Sequence, residues 1–314
     1  MIASHPAGRR RVIDGDRFFR LASLASALLV LVALAGILAA MLWGGWPVFR
    51  AFGSGFVVSA DWDIGRERFG ALVAIVGTFS SALIALVIAL PVSLAIAVFL
   101  TQLAPSALKR PLATAIELLA AVPSIIYGMW GLFAFAPLFA RHVQMPVSEL
   151  VEGMPIIGTI LHARVPSGVG VLTAGIILGI MIVPLIASVA RDMLDQIPTA
   201  LRESAFGIGC TTWEVVRHVL VPQAGASLVG AAMLGLGRAL GETMAVTFVI
   251  GNANRLSPSL FEPGSTIASR LANEFNEADG LHLNALLALG CILFVITFVI
   301  LVLARLLIAR VAVR

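Results

Sequence analysis

The sequence predicts an all-α membrane protein with six spanning helices, and three observations lead to this fold class. Among the 314 residues, 60% are hydrophobic and 12% are charged, whereas a soluble domain carries about 25% charged residues. Several apolar runs reach the roughly 20 residues that a helix needs to cross a bilayer. A polar stretch with helical spacing, residues 203–222, separates two of these runs.

The first predicted span is a helix over about 21–45. Five arginines lie between Arg9 and Arg20, and an apolar run from Leu21 to Leu42 follows them. The run is longer than the apolar core of a signal peptide and ends without a small-residue cleavage site, so we expect a retained helix. We assign residues 1–69 to an N-terminal tail, this helix and an outer loop.

Five further apolar runs predict the remaining spans, within a transmembrane core over residues 70–314. Basic residues are more frequent in the segments on the same side as the N-terminus. The positive-inside rule therefore predicts that both termini are cytoplasmic. We expect a multi-pass protein of the cell inner or plasma membrane, in contact with membrane lipid. The spans are predicted over about 70–100, 112–139, 168–190, 222–250 and 283–309.

The predicted outer loops are longer than is needed to turn the chain, and cover about 46–69, 140–167 and 251–282. Loops of this length usually have a role. A surface that receives a soluble binding protein would fit, and solvated connectors without a partner are the alternative. The histidines in loops or at helix ends show no ligand or general-base spacing and are expected at the surface: His142, His162, His218 and His282.

Residues 192–221 are predicted to form a helix, a glycine bend and a second helix. Pro198 suits the first turn of a helix, because its missing N–H is not needed there. Gly207 and Gly209 can end or bend that helix at low cost. Thr211 and the glutamate three residues later have the spacing of a capping box, which begins the second helix. Such a hairpin indicates a docking surface for another protein; an ordinary amphipathic hairpin is the alternative.

The chain lacks the motifs that would bind a nucleotide or a metal. A phosphate-binding loop ends in Gly-Lys-Ser/Thr, and the single lysine, Lys109, has no glycine nearby. ATP hydrolysis, where transport uses it, must come from a separate ATPase chain, so we do not expect an enzyme. Cys210 and Cys291 give no metal spacing, and we expect no cofactor. No basic face with interleaved aromatic residues indicates nucleic acid.

Arg238 and Glu242 lie near the middle of the fifth apolar run. A charge at a helix centre in the bilayer costs about 2.5 to 3.5 kcal/mol, and residues four apart share a helix face and can pair. Arginine offers a planar fork of donors to an oxyanion, and Glu242 could accept a hydrogen bond from protonated phosphate, which sulfate cannot donate. We predict a substrate pathway here, with a structural salt bridge as the alternative. The glycines around the pair allow close approach: Gly235, Gly237 and Gly241.

The third span contributes further candidates for the pathway. Glu117 is expected near the cytoplasmic end of this span. Ser124 and Tyr127 are expected deeper, beside Pro123, which loosens the helical hydrogen-bond ladder. Helix packing is the alternative role for these side chains.

Three segments together resemble the permeases of ABC importers. Glu203-Ser204-Ala205, followed by Gly209 and a closing Val-Leu-Val-Pro at 219–222, resembles their Glu-Ala-Ala loop, with Ser204 in place of the usual alanine. The segments at 117–131 and 238–252 are similar to the C-type permeases of the phosphate-specific ABC importers. The likeness covers residues 70–314 well and the N-terminal helix more loosely.

The resemblance implies a MetI-like core with a cytoplasmic coupling helix and ATP-driven import of inorganic phosphate. The implied partners are an A-type permease subunit, two copies of a cytoplasmic ATPase and an external phosphate-binding protein. The residues expected to contact the ATPase are Glu203, Ser204, Ala205, Gly207 and Gly209. The residues expected along the phosphate pathway are Arg238, Glu242, Thr243, Ser124, Tyr127 and Glu117.

Other functions remain open from the residues alone. Sulfate or molybdate could be the transported oxyanion. An ion-driven secondary transporter would also place charges at the midplane, but it would not need a capped docking hairpin and usually shows inverted repeats. A membrane scaffold could use the hairpin, but it would not explain Arg238 and Glu242.

Overall fold

The computed structural model describes the backbone of residues 9–312 and the side chains of residues 15–306. In this part of the chain, five helices are long and apolar enough to cross a membrane, and a bent helix pair makes a sixth candidate. The predicted all-α, multi-pass membrane fold is confirmed, with one pair of two-residue strands as an addition.

Residues 9–161 form eight helices and the strand pair. The elements are α1 (Arg9–Phe52), α2 (Gly55–Val58), β1 (Trp62–Asp63), β2 (Arg68–Phe69), α3 (Leu72–Val98), α4 (Ser106–Ala120), α5 (Ser124–Trp130), α6 (Ala136–Phe139), α7 (Met145–Leu150) and α8 (Ile157–Leu161). Strands β1 and β2 are antiparallel, with Trp62 opposite Phe69. The π-helical turns Phe99–Leu103, Gly131–Phe135 and Ala140–Gln144 extend α3 and join α5 to α7.

The second half contains the remaining eight helices. They are α9 (Val171–Asp195), α10 (Thr199–Gly207), α11 (Thr212–Val215), α12 (Val221–Gln223), α13 (Gly225–Gly241), α14 (Met244–Val249), α15 (Ile267–Glu274) and α16 (Gly280–Ala312). A π-helical turn, Val216–Leu220, joins α11 to α12, and a 3₁₀ turn, Phe275–Glu277, follows α15.

Helices α3 and α9 form the centre of the bundle. Glycines let them approach closely, since a Cβ built on Gly175 would lie 2.5 Å from a side-chain carbon of Ile84. The Ser93 hydroxyl donates to the carbonyl of Val183 at 3.0 Å. The largest buried apolar cluster combines these two helices with α13 and α14. The core that holds α13 in place is therefore built mainly from α3 and α9.

Helix α1 packs on the outside of the bundle against α16. The two helices run antiparallel, and a Cβ built on Gly45 would lie 2.8 Å from the Cα of Ala288. The first half of α1, from Gly15 to Gly36, has no buried side chain on this chain. The predicted boundary between residues 69 and 70 stays a prediction.

The bundle has two ends, which we name the hairpin side and the capped side. The hairpin side carries residues 192–221. The capped side carries the strand pair, α7, α8 and α15. Helices α1 and α3 meet the strand pair on the capped side, while the end of α3 joins the apolar cluster beneath the hairpin.

The capped side contains a cluster around a buried guanidinium. Arg270 is fully buried and stacks on Trp62, with 4.2 Å from its Cζ to the ring centroid. Burial lowers the pKa of Arg270 to about 10, so the side chain remains charged at neutral pH. Glu274 Oε2 accepts from Trp62 Nε1 at 3.0 Å and lies 2.8 Å from His282 Nε2. The prediction of a surface position for His282 is wrong, because this residue is buried and stacks on Phe69.

The outer segments predicted as loops are largely folded. The helix that begins at Ser124 continues to Leu150, so part of the predicted loop 140–167 is helical. Gln144 donates from Nε2 to the carbonyl of Phe261 at 3.0 Å, and its Oε1 accepts from Gly168 N–H at 2.7 Å. This side chain ties two outer segments into one cap.

Two predicted spans are interrupted. The prediction of one helix over 112–139 is wrong, because α4 ends at Ala120 and α5 begins at Ser124. Pro123 between them has no N–H for the helical ladder and disfavours helical backbone in the residue before it. The predicted helix over 222–250 is also interrupted. It bends by 74° at Ala224 and breaks again after Gly241.

Candidate functional site

The break between α13 and α14 separates the two charges that were predicted to pair. Gly241 ends α13, and Glu242 has an extended backbone, with φ −69° and ψ 125°. None of the ion pairs among residues 15–306 involves Arg238 or Glu242. The predicted ion pair is therefore wrong for this chain, because four-residue spacing brings side chains together only within a continuous helix.

Glu242 instead caps the short helix that follows the break. Its Oε1 accepts a hydrogen bond from the N–H of Ala245 at 3.3 Å. Its other carboxylate oxygen accepts no hydrogen bond from the described side chains or backbone. Thr243, the next residue, lines a cavity of about 380 Å³ with Gly241, Leu271 of α15 and Phe275 of the following 3₁₀ turn. The break thus presents one unengaged carboxylate oxygen and a threonine beside an open cavity.

Arg238 lies on an exposed face of α13, one turn before the break. The same face carries three glycines where an added Cβ would meet no atom within 4 Å: Gly230, Gly237 and Gly241. On the opposite side of α13, Gly235 contacts Ile186 of α9 closely. Gly230 and Gly241 each line a cavity that is bordered in part by α16, so this open glycine face is not filled by atoms of the chain itself.

The break between α4 and α5 contains two of the predicted pathway residues. Tyr127 is buried, and its hydroxyl donates to the carbonyl of Leu119 across the break at 3.0 Å. This carbonyl lies in the last turn of α4, where the helix itself leaves acceptors unsatisfied. Ser124 is the first residue of α5 and is half-buried.

The two breaks are close neighbours in the bundle. A Cβ built on Gly128 of α5 would lie 2.9 Å from the Cα of Ala245 in α14. Tyr127 packs in the same apolar cluster as Ala239 and Leu240, the two residues of α13 that follow Arg238. The structure therefore brings Arg238, Tyr127 and the Glu242 turn together, although they come from different predicted spans.

Glu117 lies apart from this group. Its Oε1 is 2.9 Å from Nη2 of Arg191, near the end of α9. The same guanidinium binds Asp192 at 2.8 Å. The sequence gives no signal for Arg191 here, because no local pattern links it to Glu117, which is 74 positions away. The pathway role of Glu117 stays a prediction.

The hairpin has the helix, bend and helix predicted from its sequence. Pro198 directly precedes α10, and Gly209 has a left-handed φ of +92°. The capping box is confirmed: Glu214 N–H donates to Thr211 Oγ1 at 3.4 Å, and Thr211 N–H donates to Glu214 Oε2 at 2.7 Å. Hydrogen bonds from the backbone and side chain of Thr211 lower the pKa of the Glu214 carboxyl.

The predicted docking residues divide into a buried and an exposed group. Ala205 packs against the ends of α3 and α9 in a shared apolar cluster. The others are exposed: Glu203, Ser204, Gly207 and Gly209. Ile208 and Trp213, which the sequence analysis did not select, are 84% and 68% exposed. Exposed apolar residues on a firmly packed hairpin are typical of an interaction surface.

Comparison with known families identifies the class of protein. The family described as "Binding-protein-dependent transport system inner membrane component" matches residues 90–313. This range begins inside α3 and includes both breaks and the hairpin. The chain belongs to this family of membrane permease components.

Relatives in this family carry a more particular name. A chain of Haemophilus influenzae, 52% identical over 94% of this chain and 93% of its own length, is named phosphate transport system permease protein PstC. A chain of Mesorhizobium japonicum with the same name is 49% identical over 99% of this chain and 95% of its own length. A Mycobacterium tuberculosis chain named phosphate transport system permease protein PstC 2 is 38% identical over 93% of this chain and 91% of its own length.

Solved structures show the same fold at low sequence identity. A chain of the bacterial alginate ABC transporter, in complex with an alginate-bound periplasmic protein, aligns with a TM-score of 0.61 and 14% identity, over 94% of each chain. A chain of the inward-facing MetNI methionine ABC transporter aligns with a TM-score of 0.52 and 20% identity, over 77% of this chain and 94% of its own. The fold is that of an ABC importer permease.

Proposed function

We propose that this chain is the permease subunit of an ATP-driven importer that moves inorganic phosphate across the inner membrane into the cytoplasm. The observation that carries the proposal is the exposed Arg238, one turn before a helix break inside a membrane span. The names of the full-length relatives support phosphate as the cargo. As a permease subunit the chain has no catalytic role of its own.

The exposure of Arg238 supports a second permease subunit as a partner. An arginine facing lipid near the bilayer centre is costly, so such side chains normally face protein or a water-filled cavity. Glycine faces let another helix approach closely within the membrane. The open glycine face of α13 thus suits an A-type permease subunit, with the anion path between the two chains.

The geometry around Arg238 supports phosphate as the anion. The guanidinium can donate two parallel hydrogen bonds to an oxyanion. The unengaged oxygen of Glu242 can accept a hydrogen bond from the proton of phosphate. Sulfate has no proton near neutral pH and would meet repulsion from the same carboxylate. In this proposal Tyr127, Thr243 and Ser124 line the path.

The hairpin supports docking of an ATPase on the cytoplasmic side. Its exposed face carries Glu203, Ile208 and Trp213. The sequence contains no nucleotide-binding loop, so two copies of a separate ATPase would supply the energy. With the hairpin side in the cytoplasm, both termini are cytoplasmic and the capped side receives an external phosphate-binding protein.

Uptake into proteoliposomes tests the proposal. The chain is reconstituted with the permease and ATPase subunits that co-purify with it, and with the external phosphate-binding protein. We expect phosphate uptake that requires ATP and that excess sulfate or molybdate does not compete away. Uptake driven by an ion gradient without ATP would favour a secondary transporter. Competition by sulfate or molybdate would make a different oxyanion the substrate.

A further inference from the structure

Helix α4 is attached to the bundle in an unusual way. None of its side chains is buried, so little apolar packing fixes its position. Among residues 15–306, one side-chain link holds the first turn of α4 and two hold its last turn. They are Lys109 Nζ to the Thr101 carbonyl at 3.1 Å, Glu117 to Arg191 at 2.9 Å, and the Tyr127 hydroxyl to the Leu119 carbonyl at 3.0 Å.

The link between Glu117 and Arg191 joins α4 to the end of α9, which leads into the hairpin. Arg191 lies one turn before the end of α9, and only 17% of its side chain is exposed. Neighbouring Ala190 and Leu194 belong to the apolar cluster that holds Ala205 of the hairpin. Arg202 of the hairpin also donates to the carbonyl of Leu194. A displacement of the hairpin is therefore transmitted to Arg191 through tight packing.

The last link joins α4 to the site around Arg238. Leu119 lies in the last turn of α4, and Tyr127 holds it from the other side of the break. Tyr127 in turn packs against the end of α13 in the apolar cluster that contains Ala239, the neighbour of Arg238. The residues between the two helices, 121–123, have no continuous helical ladder and can serve as a hinge.

We propose that Glu117 and Arg191 are positioning residues that couple the docking hairpin to the anion site through α4. When the hairpin moves, Arg191 draws α4 with it, and α4 changes the position of Tyr127 beside Arg238. Helix α4 suits this task because it is a continuous helix with no buried side chain and a hinge at one end. This role differs from the pathway role expected for Glu117, and it rests on the proposed function.

The test measures ATP hydrolysed per phosphate transported, with the complete complex in proteoliposomes. We expect Glu117→Gln to raise this ratio about fivefold or more, the lower end of typical coupling between sites. The KM for phosphate and the amount of co-purified ATPase should stay at the wild-type values. Asp192→Asn is the matched control, since it removes the other partner of Arg191 and leaves the link to α4 intact.

A charge exchange separates coupling from a merely structural effect. Glu117→Arg combined with Arg191→Glu, in an Asp192→Asn background that avoids adjacent carboxylates, should restore the ratio towards the wild-type value. The proposal is overturned if Glu117→Gln leaves the ratio unchanged, if it alters only the KM for phosphate, or if the exchange fails to restore the ratio in a complex that still assembles. A wild-type complex that transports no phosphate would overturn the proposed function itself, and this inference with it.

Discussion

Gly128 and Ala245 form a close contact between the two broken spans, because a Cβ built on Gly128 would lie 2.9 Å from the Cα of Ala245. The same Cβ would lie 2.9 Å from a ring carbon of Phe248. This contact holds the turn at Glu242 beside the turn at Pro123. The geometry of the candidate anion site therefore depends on the absence of a side-chain methyl group at Gly128.

Adding that methyl group should destabilise the bundle. We expect Gly128→Ala to lower the unfolding free energy by about 1–3 kcal/mol, the usual cost of overpacking a core. Thermal unfolding of the purified chain in detergent measures the change. Gly36→Ala in α1 is the control, because an added Cβ there meets no atom within 4 Å. Equal melting temperatures for the two variants would contradict the role of this contact.

Removing the guanidinium should abolish most phosphate transport. A hydrogen bond to a charged group contributes about 1.5–3 kcal/mol, so we expect Arg238→Ala to reduce uptake by roughly tenfold to a hundredfold. The measurement is uptake into proteoliposomes with the assembled complex. Arg66→Ala, which changes an exposed arginine beside the strand pair, should transport normally. Normal uptake by both Arg238→Ala and Glu242→Ala would exclude an anion site at this break.

Neutralising Glu242 should weaken selectivity more than transport. Glu242→Gln keeps an oxygen that can accept from Ala245 N–H, but it removes the charge that repels sulfate. We expect the preference for phosphate over sulfate to fall by about tenfold, the effect of one hydrogen bond to a charged group. Competition of labelled phosphate uptake by sulfate gives the ratio. Glu149→Gln, an exposed change on α7, serves as control, and an unchanged preference in Glu242→Gln would refute the selectivity argument.

The sequence predicts the local features of the fold, but it does not predict the features that depend on contacts between distant residues. Run length and composition predict the spans because the bilayer imposes a length on every crossing helix. The hairpin is equally predictable, since the Thr211 cap and the left-handed Gly209 are local features. The break after Gly241 is different, because contacts with α5 stabilise a turn where local spacing favours a continuous helix. Likewise, His282 is buried by Trp62 and Phe69, which lie far away in the sequence.

Filling the open glycine face should disturb assembly and leave the fold intact. An added Cβ at Gly237 meets no atom of this chain within 4 Å. We expect Gly237→Leu to keep the melting temperature of the isolated chain and to prevent association with the partner permease. Co-purification from membranes measures the association. The matched control is Gly36→Leu, which has equal space in α1. Full association of Gly237→Leu would place the partner on another face.

A charge on the exposed tip of the hairpin should interfere with docking of the ATPase. Ile208 is 84% exposed, so its replacement by aspartate should not unfold the chain. We expect Ile208→Asp to lose most of the ATPase during purification, because the interface would have to bury an unpaired charge. Ile64→Asp makes the same change at an exposed position on the capped side. Retention of the ATPase by Ile208→Asp would exclude this tip from the interface.

The bend at Ala224 determines how a force on the hairpin can reach Arg238. The helix axis changes direction by 74° between residues 212–223 and residues 225–241. A push along the first segment therefore has only a small component along the second. A push across the first segment, by contrast, acts as a torque about Ala224. Arg238 lies roughly 20 Å along α13 from this pivot at 1.5 Å per residue, so a rotation of about 5° swings it sideways by roughly 2 Å. The two segments therefore act as lever arms of comparable length about Ala224, and sideways movement of residues 212–223 becomes lateral movement of the arginine.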